Sequence, residues 1–238
     1  MAFRFGSCVC TWFYQVLTWK VQLIAYNDPV PRRSYDQYCA VARALDLVGE
    51  RWTLLIVREL LAGPRRYTDL HADLPGVSTD VLASRLKEME GAGLVVRRRL
   101  PVPGTVFGYE LTPRGRDLLP VLTALAAWGT AELGERRPTD ALRAHWAAIP
   151  LMDQLARLLA PRTGTVDVRL DEGVFHVRVD DCGPSYAHGP ADRPDARLVP
   201  EPGFTLGPGP FSLRDLIKEG RIAVHGEGPV ADGLRGIG

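Results

Sequence analysis

Apolar residues between positions 34 and 133 recur at helical spacing, then alternate, then return to helical spacing. Tyr38, Val41, Ala42, Leu45 and Val48 share one face of a helix that Ser34 can cap and Gly49 ends. Arg51 to Ala62 (RWTLLIVRELLA) is apolar on nearly all sides, as expected for the central helix of a small bundle, and Gly63-Pro64 stops it. A short helix is predicted from Tyr67 to Leu74. After the turn Pro75-Gly76-Val77, Ser78 is suited to cap a helix running to about Glu90, with Leu82, Leu86 and Met89 on one face. The runs Leu94 to Leu100 and Val106 to Leu111 flank Pro101-Val102-Pro103-Gly104, which predicts a β-hairpin. A long helix from Pro113 to about Leu133 follows, striped by Leu118, Val121, Leu122, Leu125 and Trp128, with Pro120 inside it to bend or break it.

Beyond Gly134 the pattern restarts. Ala141 to Leu159 reads as helical, and two alternating runs, Val166 to Leu170 and Val174 to Val179, are joined by the hairpin signal Asp171-Glu172-Gly173. Residues 182–210 are rich in glycine and proline and read as irregular; Ser212 to Lys218 predicts a short helix and Ile222 to Val224 a final strand. The expected fold class is therefore a winged helix, mainly α with a β-hairpin wing, over residues 34–133, followed by a smaller α+β domain over 134–238. Asn27-Asp28-Pro29-Val30-Pro31 sets residues 1–33 apart as an N-terminal extension outside the core.

Composition adds little against this picture and removes several alternatives. Net charge is +1, so the chain as a whole does not announce a polyanion partner; residues 32–133 carry 14 basic and 12 acidic side chains. Any case for nucleic acid must come from local clusters. Cys8, Cys10, Cys39 and Cys182 have no zinc-site spacing and no disulfide framework, which fits reduced thiols and a cytoplasmic location. The apolar run Cys8 to Ala25 is interrupted by Gln15, Lys20 and Gln22. A membrane span takes about 20 predominantly apolar residues, so no stable membrane association is expected. No phosphate-binding loop, dinucleotide fingerprint or nucleophile elbow is present. His71, His145, His176, His188 and His225 are scattered without ligand spacing, so no enzyme activity, cofactor or metal is expected.

Clusters are present where a helix-turn-helix needs them. A major groove about 12 Å wide admits one α-helix, whose exposed side chains reach base edges while the preceding helix abuts the backbone. Thr68 to Leu74 would be the positioning helix and Ser78 to Glu90 the recognition helix. Arg85 can donate two bonds to guanine; Ser84 and Thr79 can read base or phosphate; Lys87, Arg65 and Arg66 suit phosphates, with Thr68 and Ser78 beside them. On the hairpin, alternation sends Arg97 and Arg99 to one face and Arg98 to the other.

The segments Tyr38–Leu45, Gly49–Ile56, Gly63–Leu70, Leu82–Leu94 and the corner Tyr109-Glu110-Leu111-Thr112-Pro113-Arg114-Gly115 together resemble the HxlR-type winged-helix regulators. The resemblance implies a transcriptional regulator, expected to act as a repressor, that binds double-stranded DNA at an inverted-repeat operator as a homodimer, with the first and last helices forming the dimer contact. The stripe Leu118, Val121, Leu122, Leu125 and Trp128 exceeds what one small domain needs to bury. Cys39 coincides with a cysteine through which some family members sense oxidants; Arg43, one helical turn on, is the partner the sequence offers its thiol. Residues Phe175–Val179 and Leu213–Gly226 are similar to the sterol-carrier-protein-like fold, which implies a small apolar effector. Two alternatives stand beside these readings: a packing or dimerisation role for the second domain, and a lipid-like ligand carrier whose helix-turn-helix does not bind DNA.

Overall fold

The computed structural model describes residues 34–101, 104–204 and 211–236; the expected N-terminal extension, residues 1–33, lies outside them. The first helix, α1 (Ala40–Val48), starts later than its apolar spacing suggests, with Cys39 rather than Ser34 at the N-cap. Asp36 has φ of 52°, which turns the chain back on itself. Ser34 then donates its hydroxyl to the Asp46 carboxylate at 3.1 Å instead of capping a helix.

The next three helices form the predicted bundle. α2 (Thr53–Leu60) runs through the centre and buries Ile56, Val57, Glu59 and Leu60. α3 (Tyr67–Asp73) and α4 (Thr79–Gly91) follow, and Ser78 caps α4 by accepting from the Val81 N–H at 3.4 Å. α4 ends as a glycine-terminated helix should: Gly93, at φ 69°, donates to Glu90, and Leu94 donates to Met89. β1 (Val95–Arg99) and β2 (Phe107–Leu111) pair antiparallel as the wing, with Val95 opposite Leu111 and Arg99 opposite Phe107. Arg65 and Tyr109 exchange two backbone hydrogen bonds, at 2.9 and 2.8 Å, which pin the entry of α3 to the wing.

The long closing helix is two helices, α5 (Pro113–Arg116) and α6 (Leu119–Gly129). Pro120 lies in the first turn of α6, where a missing N–H costs nothing, so the break falls just before it.

In the second half a 3₁₀ turn, Ala144–Ala147, leads into α7 (Ala148–Leu159). The hairpin β3 (Gly164–Leu170) and β4 (Gly173–Asp180) forms as expected. Two further strands, β5 (Gly183–His188) and β6 (Ala196–Pro200), correct the expectation of irregular chain over 182–210. After α8 (Leu213–Lys218), capped by Ser212, come β7 (Ile222–His225) and a helix the sequence pattern did not give, α9 (Pro229–Arg235). The sheet order is β5-β4-β3-β6-β7, with β3 and β6 the parallel pair. α7 packs on β4 and β5, burying Leu151, Leu155 and Leu159 in one cluster with Phe175, Val177 and Tyr186. That cluster continues without interruption into the core around Ile56, Leu60, Leu70 and Leu86. Among the described residues no helix is long and apolar enough to cross a membrane.

Candidate nucleic-acid interface

Because Leu82, Leu86 and Met89 turn α4 inward, Thr79, Asp80, Ser84 and Lys87 stand exposed on its far side. Of the residues the sequence nominates, Arg66, Thr68, Ser78, Thr79, Ser84, Lys87, Arg97 and Arg99 are exposed. The wing follows its alternation. Arg98 pairs with Glu110 at 2.6 Å on one face, while on the other Arg97 lies over the Phe107 ring at 4.9 Å and Arg99 donates to the Gly104 carbonyl at 3.2 Å. Among the described residues Arg66, Lys87, Arg97 and Arg99 have no carboxylate partner in this structure.

Two nominated arginines are held differently. Arg85, with its side chain 17% exposed, donates to Glu88 at 2.7 Å and lies 3.6 Å from Glu50 in the α1–α2 turn. Glu88 also accepts from Ser84 at 3.1 Å. Arg65 turns into the protein, 2.5 Å from Asp73 and 2.5 Å from the Nε2 of His188 on β5. Neither guanidinium is presented to a groove in this arrangement, because carboxylates of the chain itself occupy it.

The expected dimer stripe divides in two. Leu122 is buried and Leu118 half-buried against the domain's own core, whereas Val121, Leu125 and Trp128 are exposed, Trp128 by 74%. α6 (LPVLTALAAWG) carries no charged residue. Tyr38, just before α1, and Val41 and Leu45 on it are exposed as well. Cys39 is exposed at the N-terminus of that helix, and hydrogen bonds from the backbone of Ala42 and Val41 pull its thiol below the ordinary value. The sequence pointed to Arg43 for that role, but Arg43 bonds Ser34 and Asp46 instead.

Behind the interface lies a polar junction that sequence reasoning missed. Glu59 of α2 is fully buried. It accepts from Trp146 Nε1 at 2.9 Å and Arg58 Nε at 2.8 Å, and its other oxygen lies 2.6 Å from His145 Nε2. Burial pushes the Glu59 carboxyl up, but the His145 hydrogen bond and the Arg58 charge together hold it below the usual range. Asp73 is likewise held low, its partial burial outweighed by hydrogen bonds from Arg143 and Arg65. Tyr186 donates to the Arg58 carbonyl at 2.9 Å, and burial beside Glu59 raises its phenol, keeping the donor protonated. The rings of His145 and His188 meet edge-on at 4.4 Å. Glu59, Asp73 and His145 bring ligand-type atoms within 4.8 Å of one another. Their carboxylate oxygens are already matched by Arg58, Arg65, Arg143 and Trp146, so guanidinium groups fill the place a cation would take. A signal was available: a glutamate inside an otherwise apolar helix has to be paired.

The family model for HxlR-like helix-turn-helix proteins matches residues 47–137. The chain is 40% identical over 88 residues to the uncharacterized HTH-type transcriptional regulator YvaP of Bacillus subtilis, covering 37% of this chain and 82% of that protein. It is 41% identical over 107 residues to the uncharacterized HTH-type transcriptional regulator Rv3095 of Mycobacterium tuberculosis, covering 44% of this chain and 67% of the other. It is 38% identical over 85 residues to the HTH-type transcriptional regulator YodB of Bacillus subtilis, covering 36% of this chain and 76% of that protein.

Proposed function

The chain belongs to the HxlR-like helix-turn-helix family of transcriptional regulators, and from that premise we propose that it acts as a homodimeric repressor at an inverted-repeat site on double-stranded DNA. One observation carries the reading: cationic groups with no carboxylate partner among the described residues, at Arg66, Lys87, Arg97 and Arg99, flank an exposed α4 whose outer face is polar. α4 enters the major groove, with Thr79 and Ser84 at base edges and Lys87 toward the backbone. Arg66, Thr68 and Ser78 lie beside the phosphates, and Arg97 and Arg99 follow on the wing. Arg65 and Arg85 serve as struts, a role that their carboxylate partners support.

The second protomer covers the apolar face made by Val121, Leu125 and Trp128 of α6, Val41 and Leu45 of α1, and Tyr38 just before α1. Cys39 adjoins that face, which makes thiol oxidation a means of altering the dimer and hence DNA affinity. A carrier function is less well supported, because the sheet face under α7 is filled by the chain's own Phe175, Val177, Leu155 and Leu159, and an apolar effector would have to displace them. Selection of binding sites from a random duplex pool, followed by titration at two salt concentrations, tests the regulator reading. A palindromic consensus whose affinity falls steeply with salt supports it, and the absence of any selected sequence rejects it. Oxidation is tested on the same duplex: peroxide should weaken binding by the wild-type chain and leave Cys39→Ser unaffected.

A further inference from the structure

α3 is a seven-residue helix, Tyr67–Asp73. Helices this short do not hold themselves in water, where roughly a dozen residues or more are needed for even marginal stability. Its end is also electrostatically awkward. Asp73 places a carboxylate in the last turn, where the helix dipole favours a cation.

The correction comes from outside the family-matched segment, which ends at residue 137. Arg143 donates from Nε to the Asp73 carboxylate at 2.9 Å and from Nη2 to the Ala72 carbonyl at 3.2 Å. Arg143 is itself anchored, since its guanidinium also donates to the Leu142 carbonyl at 3.1 Å. Just beyond it His145 and Trp146 are fixed on the buried Glu59 of α2. The segment from Arg143 to Trp146 therefore spans from the central helix of the winged domain to the end of α3. Arg65, bonded to the other Asp73 oxygen and to His188, braces the same end of the helix.

We propose that Arg143 is a positioning residue for DNA recognition, a C-terminal cap supplied to α3 by the second half of the chain. It touches no DNA. It fixes the angle at which α3 meets α2, and α4 inherits that angle through the tight turn at Gly76. Base readout by α4 needs its side chains held to within about half an ångström, so the second half sets recognition by holding α3 still. The inference rests on the DNA-binding reading above.

Arg143→Met, which keeps the aliphatic stem and loses the donors, and Arg143→Lys, which keeps the charge, separate the possibilities in the full-length chain. Wild-type protein first selects a duplex from a random pool; each variant is then titrated with that duplex and with a scrambled one. Concentrations are corrected for the active fraction, so that a loss of folded protein does not pass for a loss of affinity. Arg143→Met should lower the ratio of selected to scrambled affinity by about tenfold, with an unchanged salt slope and faster amide exchange across α3. Arg143→Lys should recover part of the ratio, and it carries the comparison if Arg143→Met does not fold. An unchanged ratio with faster exchange would overturn the role in recognition, leaving a structural cap. A salt slope shallower by about one, with both duplexes weakened equally, would also overturn it by making Arg143 a phosphate contact. If wild-type protein selects no sequence, the regulator reading fails and the role in recognition fails with it. Amide exchange at α3 still reports on capping in that case, and unchanged exchange in Arg143→Met would refute the cap.

Discussion

Glu59 lies in a stretch, RWTLLIVRELLA, whose hydropathy argues for a helix apolar on all sides, and the helix does form with that glutamate inside it. The element was legible from the pattern. The partners were not, because His145 and Trp146 lie 86 and 87 positions away and only the docking of the second half brings them together. Replacing one member of such a group leaves the others desolvated and unmatched. Glu59→Leu should cost about 3–5 kcal/mol, since His145 and Trp146 both lose their acceptor, whereas Glu59→Gln keeps one acceptor and should cost about 1–3 kcal/mol. Urea unfolding of the two variants gives the ordering.

His188 makes the same junction sensitive to acid. Its pKa is pushed down to about 4, first by burial, then by the charge of Arg65 and by His145, with Glu59 and Asp73 pulling the other way. A histidine depressed below its ordinary value of about 6.5 binds more protons unfolded than folded across that interval. Its contribution to stability is complete above the unfolded value and is lost as pH falls from about 6.5 toward 4. The depressed carboxylates of Glu59 and Asp73 add their own loss only below the ordinary carboxylate range. The unfolding midpoint should therefore drop between pH 7.5 and 5, and His188→Gln should flatten that drop. An equal drop in the variant would assign it to other groups. His188 is exposed at the end of β5, and solvent screening there mutes the effect.

At the scale of elements, caps were the readable signals. Ser78 starts α4 and Gly93 ends it, as their positions require, and Pro120 marks the break between α5 and α6. Ser34 misled because a plausible cap residue was given another acceptor, Asp46, by the turn at Asp36. β5 and β6 were hidden by Pro184, Pro190, Pro194 and Pro200 in and around them; β5 is an edge strand, which tolerates a residue that cannot donate. α6 shows the limit of a pattern most clearly. Its stripe was visible, but which members face inward depended on the packing of Leu122 against the core. That division gives a prediction: Leu125→Glu and Trp128→Glu should each yield a folded monomer by light scattering, because the residues they replace are exposed in a single chain. Leu122→Glu should instead lose the fold. A dimer that survives both exposed substitutions would place its interface elsewhere.

For the whole molecule the governing fact is the near balance of charge, +1 in total. Most arginines of the winged half are bound to acids of the chain itself: Arg43 to Asp46, Arg58 to Glu59, Arg65 to Asp73, Arg85 to Glu88, and both Arg98 and Arg116 to Glu110. At physiological salt the screening length is about 8 Å, so such pairs act on DNA as weak dipoles, and long-range steering contributes little. Among the described residues, affinity then falls to the unmatched cations at the interface: Arg66, Lys87, Arg97 and Arg99. Each phosphate neutralised contributes about 0.9 to the slope of log affinity against log salt, so in the proposed dimer these four groups per protomer set a limit near 7 from the described residues. Lys87→Ala or Arg99→Ala, which removes two contacts per dimer, should flatten the slope by about 2. Arg65→Ala should leave the slope unchanged, because that guanidinium is committed to Asp73 and His188. A wild-type slope well above the limit, together with a shallower slope in Arg65→Ala, would mean that DNA draws Arg65 out of the junction. The second half would then compete with DNA for that side chain instead of merely bracing the helix that carries it.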